Sequence, residues 1–101
     1  RQLDGGRSSF DQLEEIVGAV GDQIDVILDS GIQRGSHVLK ALSLGAKAVG
    51  GGRFYLYALA AAGGQGVERA LQIMHEEIER DMRLMGVSSI QELSRDNLRF
   101  R

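Results

Sequence analysis

Two short stretches carry residue types able to grip an anion. Between Val26 and Gly35 the chain reads VILDSGIQRG: an apolar run ends at Asp29, turns through Ser30 and Gly31, passes Gln33, Arg34 and Gly35, and enters a helical pattern at Ser36. The same sequence of events recurs when Ala46 to Val49 runs into Gly50, Gly51 and Gly52, then Arg53 and the helix-like FYLYALAAA. Glycine adopts positive φ and lets the main chain approach a ligand closely. A helix N-terminus presents unpaired amide donors and the positive end of a dipole, and arginine adds a bidentate cation. Two strand ends equipped in this way predict one shared phosphate cradle.

Such a cradle needs two neighbouring strands to hold its halves together. A (β/α)8 barrel builds its recurrent phosphate site from its seventh and eighth βα loops. The expected fold class is α/β, the C-terminal portion of a (β/α)8 TIM barrel: the last two βα units plus terminal helices. The elements follow from periodicity. Ser9 with Gln12 fits a capping box, and Phe10, Leu13, Ile16, Val17 and Val20 share one helical face up to Gly21. Ile24 to Leu28 reads as a parallel strand buried on both faces. Val38, Leu39 and Leu42 make a short amphipathic helix stopped by Gly45. Beyond Phe54 to Ala62, the pair Gly63 and Gly64 breaks the chain, and a long helix over Gln65 to Met85 carries the stripe Val67, Leu71, Met74, Ile78, Met82, Met85,. A second capping box, Ser89 to Glu92, predicts a short terminal helix. The order helix, strand, helix, strand, helix implies parallel strands with right-handed crossovers.

Length and composition bound the reading. The chain has 101 residues, whereas a complete barrel takes roughly 250, and it begins with Arg1 rather than methionine. It is expected to be one C-terminal segment of a single barrel domain with no internal boundary: a fragment, a processed product or one piece of an assembly. The net charge of −2 with scattered basic residues gives no support for nucleic-acid binding. Cysteine is absent, which excludes thiolate catalysis, disulfides and cysteine-ligated metals. No apolar run approaches the roughly 20 residues of a membrane span, and no secretory signal is visible. His37 and His75 have no second ligand at metal spacing, so no metal is expected and both read as solvated helix positions.

In order and spacing, RQLDG, DSGIQRG, LKALSLGAKAVGGGR and the tail LAAAGGQGVERALQIM to EIERDMRLMGVSSIQEL resemble the C-terminal end of the FMN-dependent 2-hydroxy-acid dehydrogenases and oxidases. That family includes glycolate oxidase, flavocytochrome b2 (a lactate dehydrogenase), lactate oxidase and mandelate dehydrogenase. The resemblance covers nearly the whole chain and implies FMN as cofactor. It also implies that Arg1 binds the substrate carboxylate, with Asp4 in a supporting role for which an ordinary turn residue is the alternative. The family's catalytic histidine sits three positions before that arginine and so falls upstream of Arg1. Asp29, Ser30 and Gly31 match the loop along the flavin's ribityl and phosphate, and Gly52 and Arg53 match the second phosphate-binding pair. Ser30 replaces a common glycine. Gln33 stands where the family usually has a phosphate-binding arginine, a loss on the order of 1.5 to 3 kcal/mol unless Arg34 compensates.

The implied chemistry is transfer of two electrons from a small L-2-hydroxy acid to FMN, giving a 2-keto acid, with the acceptor (oxygen, a quinone or a cytochrome) not encoded in this stretch. Two alternatives belong to other classes. The chain could be a non-catalytic phosphate-binding half-barrel that folds against a partner chain or the missing N-terminal barrel segment. It could also be a fragment of another phosphate-binding TIM-barrel enzyme, which would share the two cradles but not RQLDG. The resemblance further implies a homo-oligomeric parent protein, and the C-terminal RFR, unlike a peroxisomal SKL signal, argues for the cytoplasm or another membrane-free setting. The charge-rich EEIERDMR is expected to be a solvated helix face with i to i+4 pairs.

Overall fold

A computed structural model describes residues 2–99. The elements run α1 (Ser9–Val20), β1 (Ile27–Asp29), α2 (Gly35–Ser43), β2 (Ala48–Gly50) and α3 (Gly52–Met85), followed by single 3-10 turns at Ile90–Glu92 and Arg95–Asn97. The two strands pair in parallel, Ile27 with Ala48, Leu28 with Val49 and Asp29 with Gly50. This β1–α2–β2 crossover sets both strand ends side by side at one edge of the sheet.

The strands are shorter than the apolar runs predict. At the start of the first run the main chain is still completing the exit from α1, where the amides of Gln23 and Ile24 donate to the Val20 carbonyl. Pairing begins only where the Lys47 amide reaches the Val26 carbonyl. Leu28 is buried, but Ile27 on the opposite face is 65% exposed, so the expectation of burial on both faces is corrected. Two strands have helices on one side only.

The core is a single cluster of Leu13, Leu28, Ile32, Ala41, Leu44 and Ala46, bordered by Phe10, Val17, Val26, Val38, Val49, Met74 and Leu98. Helix α1 contributes Leu13 and starts one residue earlier than the sequence pattern indicates, because Ser8 rather than Ser9 caps it by accepting from the Asp11 amide at 3.1 Å. Helix α3 is two arms joined at Ala62 (φ −151°, ψ 26°) and Gly63 (φ 59°, ψ −145°). The Gly63 conformation is open to glycine and strained for other residues, which is why the chain breaks where the Gly-Gly pair predicts. Along the second arm Met74 packs on the core, while Leu71 is 55% exposed. The arm is about 30 Å long and α2, with nine residues, about 13 Å, so the stripe outruns its support.

The contact between α2 and α3 is unusually close. A β-carbon at Gly35 would lie 2.6 Å from both the Glu77 Cβ and the Ile78 amide nitrogen, so only glycine fits without moving a helix. Into that contact Glu77 sends a carboxylate that accepts from the Gly35 amide (2.8 Å) and from Arg34 Nε and Nη2 (2.8 Å each). The Arg34 bond, then the Gly35 amide, hold the Glu77 carboxyl below its usual range despite partial burial. The rest of EEIERDMR is the solvated face expected, with Glu79 meeting His75 and Arg83 at i,i+4. At the C-terminal end Glu92 accepts from Ser88 and Ser89 hydroxyls and the Ser88 amide. The expected Ser89 capping box is therefore replaced by one at Ser94 and Asn97, and Arg95 pairs with Glu14 of α1.

Two outcomes follow. Gly35→Ala should destabilise the chain by about 1–3 kcal/mol through overpacking, measured as a urea or thermal midpoint; an unchanged midpoint would refute the close contact. The lowered carboxyl of Glu77 adds stability that is present above the ordinary glutamate value of 4.5 and is lost as pH falls through its folded-state value. Between pH 7 and pH 3 the parent chain should thus lose more stability than Glu77→Gln, and parallel pH profiles would argue against the pairing.

Candidate functional site

At the C-terminal edge of the two strands lies a cleft of about 230 Å³ lined by Asp29, Ser30, Gly31, Ile32, Gln33, Gly52, Arg53 and Leu56. All six residues singled out in the two sequence stretches, Asp29, Ser30, Gly31, Gln33, Gly52 and Arg53, meet here. The strand register brings them together: Asp29 is paired with Gly50, so the loop after β1 and the start of α3 leave the sheet from adjacent positions.

The first wall is a strained loop. Ser30 has φ 99° and Gly31 φ 77°, and a serine in that region costs on the order of 1–3 kcal/mol. The Ser30 amide donates to Asp29 Oδ1 at 2.9 Å, which offsets part of this cost. The Asp29 side chain lies so close over β2 that a β-carbon at Gly50 would stand 2.9 Å from Oδ1. Glycine at position 50 thereby lets the carboxylate lock the turn.

The second wall is the N-terminus of α3. Its N-cap, Gly51, carries no side-chain cap hydrogen bond, and Gly52 and Arg53 at the helix start line the cleft. A β-carbon at Gly52 would meet nothing within 4 Å, leaving open space in front of them. Arg53 is exposed and makes no ion pair with any described residue, whereas Arg7, Arg69, Arg80 and Arg83 are each paired with a carboxylate. A helix start without a side-chain cap and a guanidinium unpaired among the described residues, on one polar cleft, suit an anion with several oxygens.

Arg34 does not compensate for Gln33. Its guanidinium is committed to Glu77 of α3, and Gln33 itself lines the cleft. Asp4 sits exposed in a turn with Gly5 at φ 74° and does not line the cleft. Arg1 lies outside the described residues.

Two side chains escaped the sequence reading. His37, expected on the solvated surface, is half-buried with Nδ1 3.3 Å from the Gln33 amide and 3.2 Å from the Gly31 carbonyl oxygen, so it touches the loop from behind. Glu77, read as part of a solvated face, anchors the residues that close the loop. Its signal was present: it lies three residues after Met74 and beside Ile78, on the inward side of the helix. No group of three or more potential metal ligands occurs among the described residues.

Residues 1–100 match the family model described as FMN-dependent dehydrogenase. The chain is 48% identical over 103 residues to the L-lactate dehydrogenase (cytochrome) of Saccharomyces cerevisiae, covering 97% of this chain and 17% of that protein. It is 50% identical over 93 residues to the L-lactate oxidase of Lysinibacillus sphaericus, covering 92% and 24% respectively. Among solved structures it superposes on an active mutant of (S)-mandelate dehydrogenase with a TM-score of 0.94 at 42% identity, covering all of this chain and 28% of that one. The chain thus spans 17–28% of the length of these relatives. Its sequence, its partial α/β barrel and its paired loops agree: the chain belongs to the FMN-dependent 2-hydroxy-acid dehydrogenase and oxidase family, whose cofactor is FMN.

Proposed function

We propose that this chain supplies the phosphate end of the FMN site, and the substrate-carboxylate arginine, of an enzyme that oxidises an L-2-hydroxy acid to a 2-keto acid. The observation that carries the reading is the convergence of two glycine loops, a helix start without a side-chain cap, and Arg53, unpaired among the described residues, on one cleft. These donors fit a phosphate monoester. Gly31, Gly52 and Arg53 would hold its oxygens, the Asp29 and Ser30 turn would border the ribityl chain, and Gln33 would offer an uncharged amide where an arginine is usual. Arg1, with Asp4 supporting the turn that follows it, would fix the substrate carboxylate by a bidentate pair. Bound FMN supplies the two-electron acceptor. On this reading the histidine base belongs to a barrel segment outside these 101 residues, and the chain alone binds without turning over.

A second reading, a phosphate-binding part-barrel that becomes competent only against a complementary segment, is favoured by what the fold leaves uncovered. Ile27, Leu56, Tyr57 and Leu59 are 48–66% exposed. The radius of gyration is 14.7 Å, against about 13 Å for a compact chain of this size. The two readings share the cleft and differ in whether the site forms before the complement arrives.

Titration of the chain with FMN, followed by flavin fluorescence and then by anaerobic addition of L-lactate, glycolate and mandelate, tests both. Binding without bleaching is expected; bleaching would show that the base is not elsewhere. Arg53→Ala should weaken FMN about 10- to 100-fold, the loss of a charge-assisted bond, and Gln33→Arg should strengthen it. Equal affinity of Arg53→Ala and the parent chain would remove Arg53 from the site.

A further inference from the structure

His37 is the imidazole in direct contact with the cleft loop, and the cofactor reading gives it no part. Its Nδ1 stands 3.3 Å from the Gln33 amide nitrogen and 3.2 Å from the Gly31 carbonyl oxygen. One ring nitrogen cannot serve both. Unprotonated, Nδ1 accepts from the Gln33 N–H; protonated, it donates to the Gly31 oxygen instead. The other two side-chain tethers of this segment are carboxylates, Asp29 on the Ser30 amide and Glu77 on the Gly35 amide. The middle of the loop, where Gly31 at φ 77° has the widest conformational choice, is held from its far side by the Ile32 side chain buried in the core and, at the Gln33 amide, by the imidazole.

We propose that His37 is a positioning residue: its unprotonated Nδ1 pins the Gln33 backbone, and through it the cleft-facing wall from Gly31 to Gln33, in the shape that receives a phosphate. This inference rests on the reading of the cleft as a phosphate site. With the ring proton on Nε2 the tether runs from the Gln33 amide; a proton on Nδ1 turns the same atom to the Gly31 oxygen and releases that wall. The surroundings do not replace the tether. On its outer side His37 shares a cavity with Ser8, Phe10, Gly31 and Lys40, of which only Lys40 is charged, and a lysine accepts no hydrogen bond. Across the loop the charged groups are Asp29, engaged with Ser30, and Arg53.

The substitutions that separate positioning from bulk are His37→Asn and His37→Leu. Asparagine Oδ1 occupies nearly the place of Nδ1 and remains an acceptor at every pH, whereas leucine fills the space and accepts nothing. The Gln33 amide shift of the 15N-labelled 101-residue chain is read without ligand, and FMN affinity is read on the same samples. We expect the Gln33 amide to keep nearly the parent's position in His37→Asn and to be displaced in His37→Leu. FMN affinity should be close to the parent's in His37→Asn and about three- to tenfold weaker in His37→Leu, the loss of one ordinary hydrogen bond. A Gln33 amide indifferent to all three side chains, or an asparagine variant as weak as the leucine one, would overturn the proposal. Because the amide is read without flavin, failure of FMN to bind would count against the cofactor reading and leave the tether test decisive.

Discussion

Everything at the cleft depends on the parallel pairing of Asp29 with Gly50. Register in a sheet is unforgiving, because a slip of one residue turns every side chain to the other face. Here a slip would also separate the loop after β1 from the start of α3 and lift the Asp29 carboxylate off the one β2 position with no side chain to meet it. Leu28 supplies the energetic reason for the register. It is the strand residue buried in the core, and its neighbours Ala46, Leu44 and Ala41 come from the crossover that returns the chain for pairing.

The second constraint is the clamp between α2 and α3. Gly35 permits the approach, and Glu77 fills the opening with bonds to its amide and to Arg34. This clamp fixes the C-terminal end of the cleft loop, as the Asp29 to Ser30 bond fixes its beginning. A loop held at both ends can store the unfavourable φ of Ser30, which an untethered segment would relax. The clamp also explains why a nearby cation does not serve the cleft: Arg34 neutralises a mostly buried carboxylate, and removing it would leave that charge without its partner.

Much of this was legible in the residues. Glycines and arginine at the ends of two apolar runs have a chemical meaning independent of any neighbour, and the structure brings all six of the cleft residues so identified together. The helix break at Gly63 was legible for the same reason, since backbone freedom is a local property. Strand limits were not, because Ile24 is as apolar as Ile27 and only the hydrogen bonds of the α1 exit decide which of them pairs. Nor were the roles of His37 and Glu77. A side chain reaching across four residues to a loop amide, or across forty-two to a glycine, leaves a trace in the sequence only as a polar residue beside an inward-facing one.

On the proposed reading the cleft is the cofactor-tail end of a flavoenzyme barrel, with backbone donors, a cation unpaired among the described residues and tethered walls, while the opposite face of the short sheet stays open. The central claim is that the cleft recognises phosphate rather than the flavin ring. Comparing FMN with riboflavin, which lacks only the phosphate, on the same chain tests this most directly. FMN binding with riboflavin held at least about tenfold more weakly is expected from the loss of the charge-assisted contacts; equal affinity for the two would contradict it.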